Sequence, residues 1–172
     1  MTDAKPPPSH AAEEAGAAPA ALFVCLGNIC RSPLAEAAFR RAAEAAGLTA
    51  RIDSAGTGDW HVGEPPDRRA QAVARKHGLD ISGCRARQVK AEDFRRFTHI
   101  FALDAENLAR LRSIAPADAS ARLSLLLDAA PGREGESVAD PYFGGDDGFD
   151  VAWADVWEAA SALAARFSRQ KS

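Results

Sequence analysis

Cys25 and Arg31 are separated by Leu26, Gly27, Asn28, Ile29 and Cys30, and Ser32 and Pro33 follow at once. A loop of this size that runs into a helix can turn its successive backbone N–H groups inward, making an anion nest to which the helix dipole adds positive charge. At the closing end of the loop, Arg31 supplies a planar fork able to grip two oxygens of a tetrahedral oxyanion. The same field favours the thiolate of Cys25 over the thiol, and the thiolate is the reactive form. An anion cradle with a nucleophilic sulfur at its floor implies attack on phosphorus and a covalent phospho-enzyme. Spacing alone is weak evidence, because cysteines near strand ends more often pack than react. An apolar run before the loop, a glycine within it and a helix start after it give the setting that a phosphate cradle needs.

Expulsion of an alkoxide or phenoxide requires a positioned carboxyl to supply a proton. Asp53, Asp104, Asp128, Asp140, Asp146 and Asp147 all qualify, and residue type does not choose among them. The four histidines, His10, His61, His77 and His99, lack ligand spacing with one another or with the cysteines, so no metal or other cofactor is expected. Gly144, Gly145 and Gly148 among Asp146, Asp147 and Asp150 read as a flexible acidic loop, without the twelve-residue pattern of a calcium site. Three cysteines in 172 residues are too few for a disulfide framework and fit a reducing, cytoplasmic setting.

The elements that must hold these residues follow from the apolar pattern. Ala21 to Leu26 is a short continuous apolar run, as in a strand covered on both faces, and Gly27 and Asn28 end it. Ser32 as N-cap and Pro33 open a helix that carries Leu34, Ala38, Ala42 and Ala45 and stops at Gly47. Arg51 to Ser54 reads as a second strand, and a helix opened by Pro66 and Asp67 ends at Gly78. Thr98 to Leu103 is a third strand, followed from Asp104 by a helix that ends before Pro116. Leu123 to Leu127 is a candidate fourth strand, though a helical turn fits this leucine run almost as well. Trp153, Val156, Trp157, Ala160, Leu163 and Phe167 form one stripe of a final helix. The alternation predicts an α/β fold, a three-layer sandwich with a four-stranded parallel sheet flanked by helices.

Residues 1–20 are rich in alanine and proline and are expected to be a disordered tail, with one domain over residues 21–170. Asp3, Glu13, Glu14 and Pro19 argue against an export signal in that tail. No apolar run reaches the length of about 18 residues that a spanning helix needs, so no membrane association is expected. A net charge of -3, with 21 basic residues spread along the chain, offers no field for nucleic acid.

The run Val24 to Pro33, VCLGNICRSP, resembles the signature of the low-molecular-weight protein tyrosine phosphatases. The resemblance continues through Asp53 to Gly56, Asp59 to Gly63, Cys84 to Val89, Phe101 to Leu108 and Asp140 to Tyr142. It implies the same four-stranded fold, with Cys25 as nucleophile, Arg31 as binder of the phosphoryl oxygens, and Asp140 as general acid and then base toward water. Ser32 would hydrogen-bond the sulfur, Asn28 would hold the loop in shape, and Trp60 and Tyr142 would wall a slot for a flat phenyl phosphate. Read from residue type alone, Ser32 is a helix cap, Asn28 a residue that tolerates a left-handed turn, and each aromatic a partly exposed cover for the core. Phe143 stands where many members carry a second tyrosine that is a target of regulatory phosphorylation. Cys84 replaces a histidine that in many relatives supports the loop asparagine.

The resemblance also implies that Cys30 can trap an oxidised Cys25 as a reversible disulfide; by residue type it is equally a small buried side chain under the loop. Partners implied are phosphotyrosine-containing proteins, among them bacterial tyrosine kinases that control polysaccharide export, with phosphate or other oxyanions in the site and the protein a monomer. Three rival readings share the cradle. A thioredoxin-coupled arsenate reductase would need further cysteines after the third strand, where Phe101 to Leu108 has none. A non-catalytic phosphotyrosine-binding module would need neither nucleophile nor acid. Phosphoarginine hydrolysis is the third.

Overall fold

A computed structural model describes residues 18–171. The expected disordered tail falls almost entirely on residues 1–17, which lie outside the described residues. Four strands, β1 (Ala20–Cys25), β2 (Arg51–Gly56), β3 (His99–Ala102) and β4 (Arg122–Leu125), form one parallel sheet in the order β2-β1-β3-β4. The helices are α1 (Arg31–Ala45), α2 (Arg68–Lys76), α3 (Asp93–Arg96), α4 (Ala105–Ile114) and α5 (Asp147–Lys171), with a 3-10 turn at Leu126–Ala129.

Side chains alternate across a strand, and β1 uses the alternation to serve two cores. Ala21 and Phe23 face one layer, where they meet Phe39 of α1, Val73 of α2, and Val156 and Leu163 of α5. Leu22 and Val24 face the other, with Phe94 of α3, Leu108 and Leu111 of α4, and Ile100 of β3. The predicted three layers are therefore present, and β1 reads as an unbroken apolar run because both of its faces are dry. Phe23 is fully buried against Phe39 and Phe101 at 5.7 and 5.5 Å between ring centroids. Burial of a side chain of this size is worth about 1.5–3 kcal/mol.

Four local readings are corrected. Helix α1 starts one residue before the expected cap, at Arg31, so Ser32 lies inside the helix and Cys30 occupies the cap position without a side-chain bond. The leucine run divides: Arg122–Leu125 is strand and Leu126–Ala129 is a 3-10 turn, because the Asp128 carboxylate accepts the Leu125 N–H at 3.2 Å and closes the turn. Helix α3 has no counterpart in the apolar pattern; it forms where Asp93 folds back to accept the Lys90 N–H at 2.9 Å. The acidic glycine segment is a loop only as far as Asp146, since α5 begins at Asp147 and includes Gly148. A Cβ on Gly148 would stand 3.3 Å from Pro141 Cβ, so a residue without a side chain lets the helix start close against the preceding loop. The helix starts at Asp67 and Asp104 agree with expectation, each carboxylate accepting a first-turn N–H.

Candidate active site

Cys25 is the last residue of β1 and lies 3% exposed at the carboxyl edge of the sheet, where open parallel sheets bind ligands. The loop beyond it turns its carbonyls outward. Cys25, Leu26 and Ile29 oxygens accept from the N–H groups of Thr57, Gly58 and Asp67 at 2.9, 2.9 and 2.8 Å. By contrast, the N–H groups of Gly27, Asn28, Ile29 and Cys30 donate to no acceptor among the described residues. A loop with three carbonyls drawn outward and four successive donors free is an anion nest.

Asn28 makes the turn possible. It is the one described non-glycine residue with positive φ, at 59°, a conformation that asparagine tolerates better than most. Its buried amide holds three elements together: Nδ2 donates to Ser32 Oγ at 2.8 Å and Ser54 Oγ at 3.1 Å, and Oδ1 accepts the Arg87 N–H at 3.0 Å. Ser54 is backed by Glu36, whose carboxylate accepts its hydroxyl at 2.7 Å. The Arg87 side chain is fixed in turn by the buried Asp93 at 2.9 and 3.1 Å and by Asp53. Cys84 is not among the partners of Asn28; Ser54 and the Arg87 backbone hold the asparagine instead.

Ser32 faces the sulfur, with its hydroxyl 3.1 Å from Cys25 Sγ. Because Asn28 donates to that hydroxyl oxygen, the serine proton is left for the sulfur, the other acceptor being the Ala55 carbonyl at 3.5 Å. The cap expected of Ser32 is thus given up for a contact with the thiol.

Arg31 is buried and held from behind. Its Nη1 donates to Asp104 Oδ2 at 2.7 Å and to the Val138 carbonyl at 2.8 Å. Burial works against its charge, but the negative charge at Cys25, followed by the Asp104 and Asp140 carboxylates, outweighs burial and raises the guanidinium pKa, so it stays charged. Its Nη2 lies 3.7 Å from Asp140 Oδ2. Sequence reasoning placed Asp104 only as a helix start and one of several possible acids. Its remaining oxygen accepts from Asn107, so one carboxylate caps α4 and anchors Arg31 together.

A cleft of about 180 Å³ brings the expected residues together. Cys25, Leu26, Gly27, Ile29, Cys30 and Arg31 form its floor, and Trp60, Asp140 and Tyr142 stand in its walls, joined by His61 and Phe143. His61 packs on the open face of Gly27, where a Cβ would meet its ring at 3.0 Å; nothing in the sequence pattern singled it out. Trp60 is 68% and Phe143 94% exposed, whereas Cys25, Ile29, Cys30 and Arg31 of the floor are buried, so the slot is aromatic at its mouth. Asn28 and Ser32 lie behind the floor rather than in the cleft lining.

Cys30 is buried, and burial, reinforced by the Asp67 and Cys25 charges, pushes its thiol well above the ordinary range. Burial likewise raises the half-buried Cys84. Among the described residues no group of three or more His, Cys, Asp or Glu side chains converges as metal ligands.

The model of the family described as low molecular weight phosphotyrosine protein phosphatase matches residues 20–172. A Schizosaccharomyces pombe protein of that name is 48% identical over 131 residues, covering 74% of this chain and 83% of the relative. The crystal structure of YfkJ from Bacillus subtilis superposes with a TM-score of 0.83 at 39% identity, covering 91% of this chain and 98% of that one. The structure of a Drosophila arginine phosphatase gives a TM-score of 0.80 at 34% identity, covering 86% and 96%. The sheet order, the outward-bonded loop after β1 and a family match that begins with β1 itself agree, and the chain belongs to the low molecular weight phosphotyrosine protein phosphatase family.

Proposed function

We propose that this chain is a cofactor-independent phosphatase that hydrolyses phosphotyrosine in proteins, and small aryl phosphates, through a phosphocysteine at Cys25. The observation that carries the reading is the meeting of Cys25, Arg31 and Asp140 in one cleft whose floor offers uncommitted backbone donors. The Cys25 thiolate attacks phosphorus, the bond to the tyrosyl oxygen breaks, and Asp140 gives its proton to the departing phenoxide. Arg31, with Nη1 committed to Asp104 and Val138, keeps its Nε–Nη2 edge for two phosphoryl oxygens. Water then attacks the phosphocysteine while the Asp140 carboxylate takes its proton; the S–P bond breaks, and the Ser32 hydroxyl stabilises the sulfur as it leaves.

Trp60 and Tyr142 favour a flat phenyl ring, and a nucleophile buried beneath exposed aromatic walls disfavours phosphoserine, whose shorter side chain reaches Cys25 less well. The likeness to an arginine phosphatase keeps phosphoarginine as the competing substrate. We assign residues 21–170 as the catalytic domain of a cytoplasmic monomer, with the preceding residues as a tail and tyrosine kinases among its substrates. Three free cysteines and, among the described residues, no helix long and apolar enough to cross a membrane support that setting. Hydrolysis of phosphotyrosine, phosphoserine and phosphoarginine peptides by wild type, Cys25→Ser and Asp140→Asn tests the proposal. Turnover confined to phosphotyrosine, abolished by the first change and sharply reduced by the second, is expected. A folded, reduced wild type that leaves phosphotyrosine intact would refute it.

A further inference from the structure

Arg69 ties the phosphate loop to the loop that carries Asp140. On one side its guanidinium meets the Asp67 carboxylate, Nε to Oδ1 at 3.1 Å and Nη2 to Oδ2 at 3.2 Å. On the other side Nη2 donates to the Tyr142 carbonyl at 2.9 Å and Nη1 to the Gly144 carbonyl at 3.2 Å. Both ends are themselves fixed to the site. Asp67 caps α2 by accepting the Arg69 N–H at 2.8 Å, and its own N–H donates to the Ile29 carbonyl of the phosphate loop at 2.8 Å. Tyr142, whose carbonyl Arg69 holds, donates its N–H to Asp140 Oδ1 at 3.1 Å. The guanidinium also lies 4.6 Å over the buried Phe149 ring at the start of α5 and 5.7 Å from the Tyr142 ring, so it is seated on a fixed support.

Asp140 has little else to place it. Its side chain is 41% exposed, and its one cationic contact among the described residues, Arg31 Nη2, lies at 3.7 Å. From the Tyr142 backbone, gripped from both sides, and the unbroken path Ile29–Asp67–Arg69–Tyr142–Asp140, we infer that Arg69 is a positioning residue that sets the proposed acid over the phosphate loop. The inference rests on the phosphatase reading. A lysine preserves the charge but lacks the planar fork needed to meet one carboxylate and two carbonyls at once.

The test is a leaving-group comparison. The value of kcat/KM covers the steps through phosphoryl transfer to Cys25, so it senses protonation of the leaving group and not the later hydrolysis. Phenyl phosphate needs that proton; p-nitrophenyl phosphate, with a far more stable leaving phenolate, scarcely does. General acids contribute about 10²–10⁴-fold, so displacement of the acid without its removal is expected to cost about 10-fold on phenyl phosphate. For Arg69→Lys and Arg69→Gln we expect that loss, with a change below about 3-fold on p-nitrophenyl phosphate. Asp140→Asn, measured alongside, gives the same bias at full size. Circular dichroism and melting temperature identify which of the two Arg69 variants is folded and interpretable. Equal losses on both substrates, or none, in a folded Arg69 variant overturn the positioning role while the bias in Asp140→Asn leaves the phosphatase reading standing. Absence of turnover by wild type overturns both.

Discussion

Replacing Gly56 by alanine puts one methyl group where the end of β2 meets the phosphate loop. The added Cβ would stand 2.7 Å from the Leu26 carbonyl oxygen and 3.2 Å from the Asn28 nitrogen, both backbone atoms. The strand cannot retreat, because Gly56 pairs with Cys25, its N–H donates to the Arg87 carbonyl at 2.8 Å, and its carbonyl accepts from Val89 at 2.8 Å. The loop must yield instead, by roughly 0.6–0.8 Å to bring the Leu26 oxygen back to the edge of normal contact. Overpacking of this kind costs about 2 kcal/mol, which for a chain of this length lowers Tm by roughly 4–8 °C. Misplacement of reacting groups on the ångström scale costs on the order of 10²-fold, so kcat/KM for p-nitrophenyl phosphate should fall by about that factor, far more than the small loss of stability would produce. Gly83→Ala is the matched control, since a Cβ there meets nothing within 4 Å, and it should change neither quantity. Urea denaturation and steady-state kinetics on both variants decide the matter. A Gly56→Ala protein with wild-type kcat/KM would refute the claim that β2 shapes the cradle.

Three further outcomes follow from the same geometry. Asp104→Asn should keep the α4 cap but loosen Arg31, raising KM for aryl phosphates about 10-fold with little change in Tm; a kinetic and melting comparison checks it. Cys30, held protonated by burial, should resist alkylation by iodoacetate at about neutral pH while Cys25 reacts. Cys30→Ser should therefore keep turnover within about 3-fold yet recover poorly from peroxide, as peptide mass spectrometry and activity assays would read. Burial in the core, with the Arg166 and Arg122 charges adding to it, pushes His99 down to about 3 from an ordinary 6.5. The unfolded chain then binds the extra proton between those values, so stability is full above about pH 6.5 and declines as the pH falls toward 3. The loss at pH 5 is about 2 kcal/mol, and His99→Leu should flatten that slope in denaturation curves measured across the range.

Legibility in the sequence tracked distance along the chain. The strand, loop and helix around Cys25 and Arg31 are contiguous, so their chemistry and setting could be read together. Asp140 could not be chosen from residue type, because nothing local distinguishes it from five other aspartates; only the resemblance selected it, and the fold brings it to the cleft. The supports of Arg31, an aspartate at a helix start and the Val138 carbonyl, left no pattern, since a backbone oxygen has no residue identity. Ser32 misled because a serine before a proline is ordinary cap chemistry, and the pull of the sulfur and Asn28 decided otherwise. The leucine run was ambiguous for a physical reason, being half strand and half turn.

The position of β1 has a consequence for synthesis. The strand is made before the other three yet lies inside the sheet, flanked by β2 and by β3, whose residues follow some 80 positions later. Arg31 waits longer still, for Val138, 107 residues downstream. A nascent chain therefore carries its thiol and its arginine out of the ribosome long before either can be held in place. The guanidinium is braced only once Val138 has been added, so a chain cut short before that residue keeps the thiol and the arginine but lacks the buried carbonyl that holds Arg31 in place.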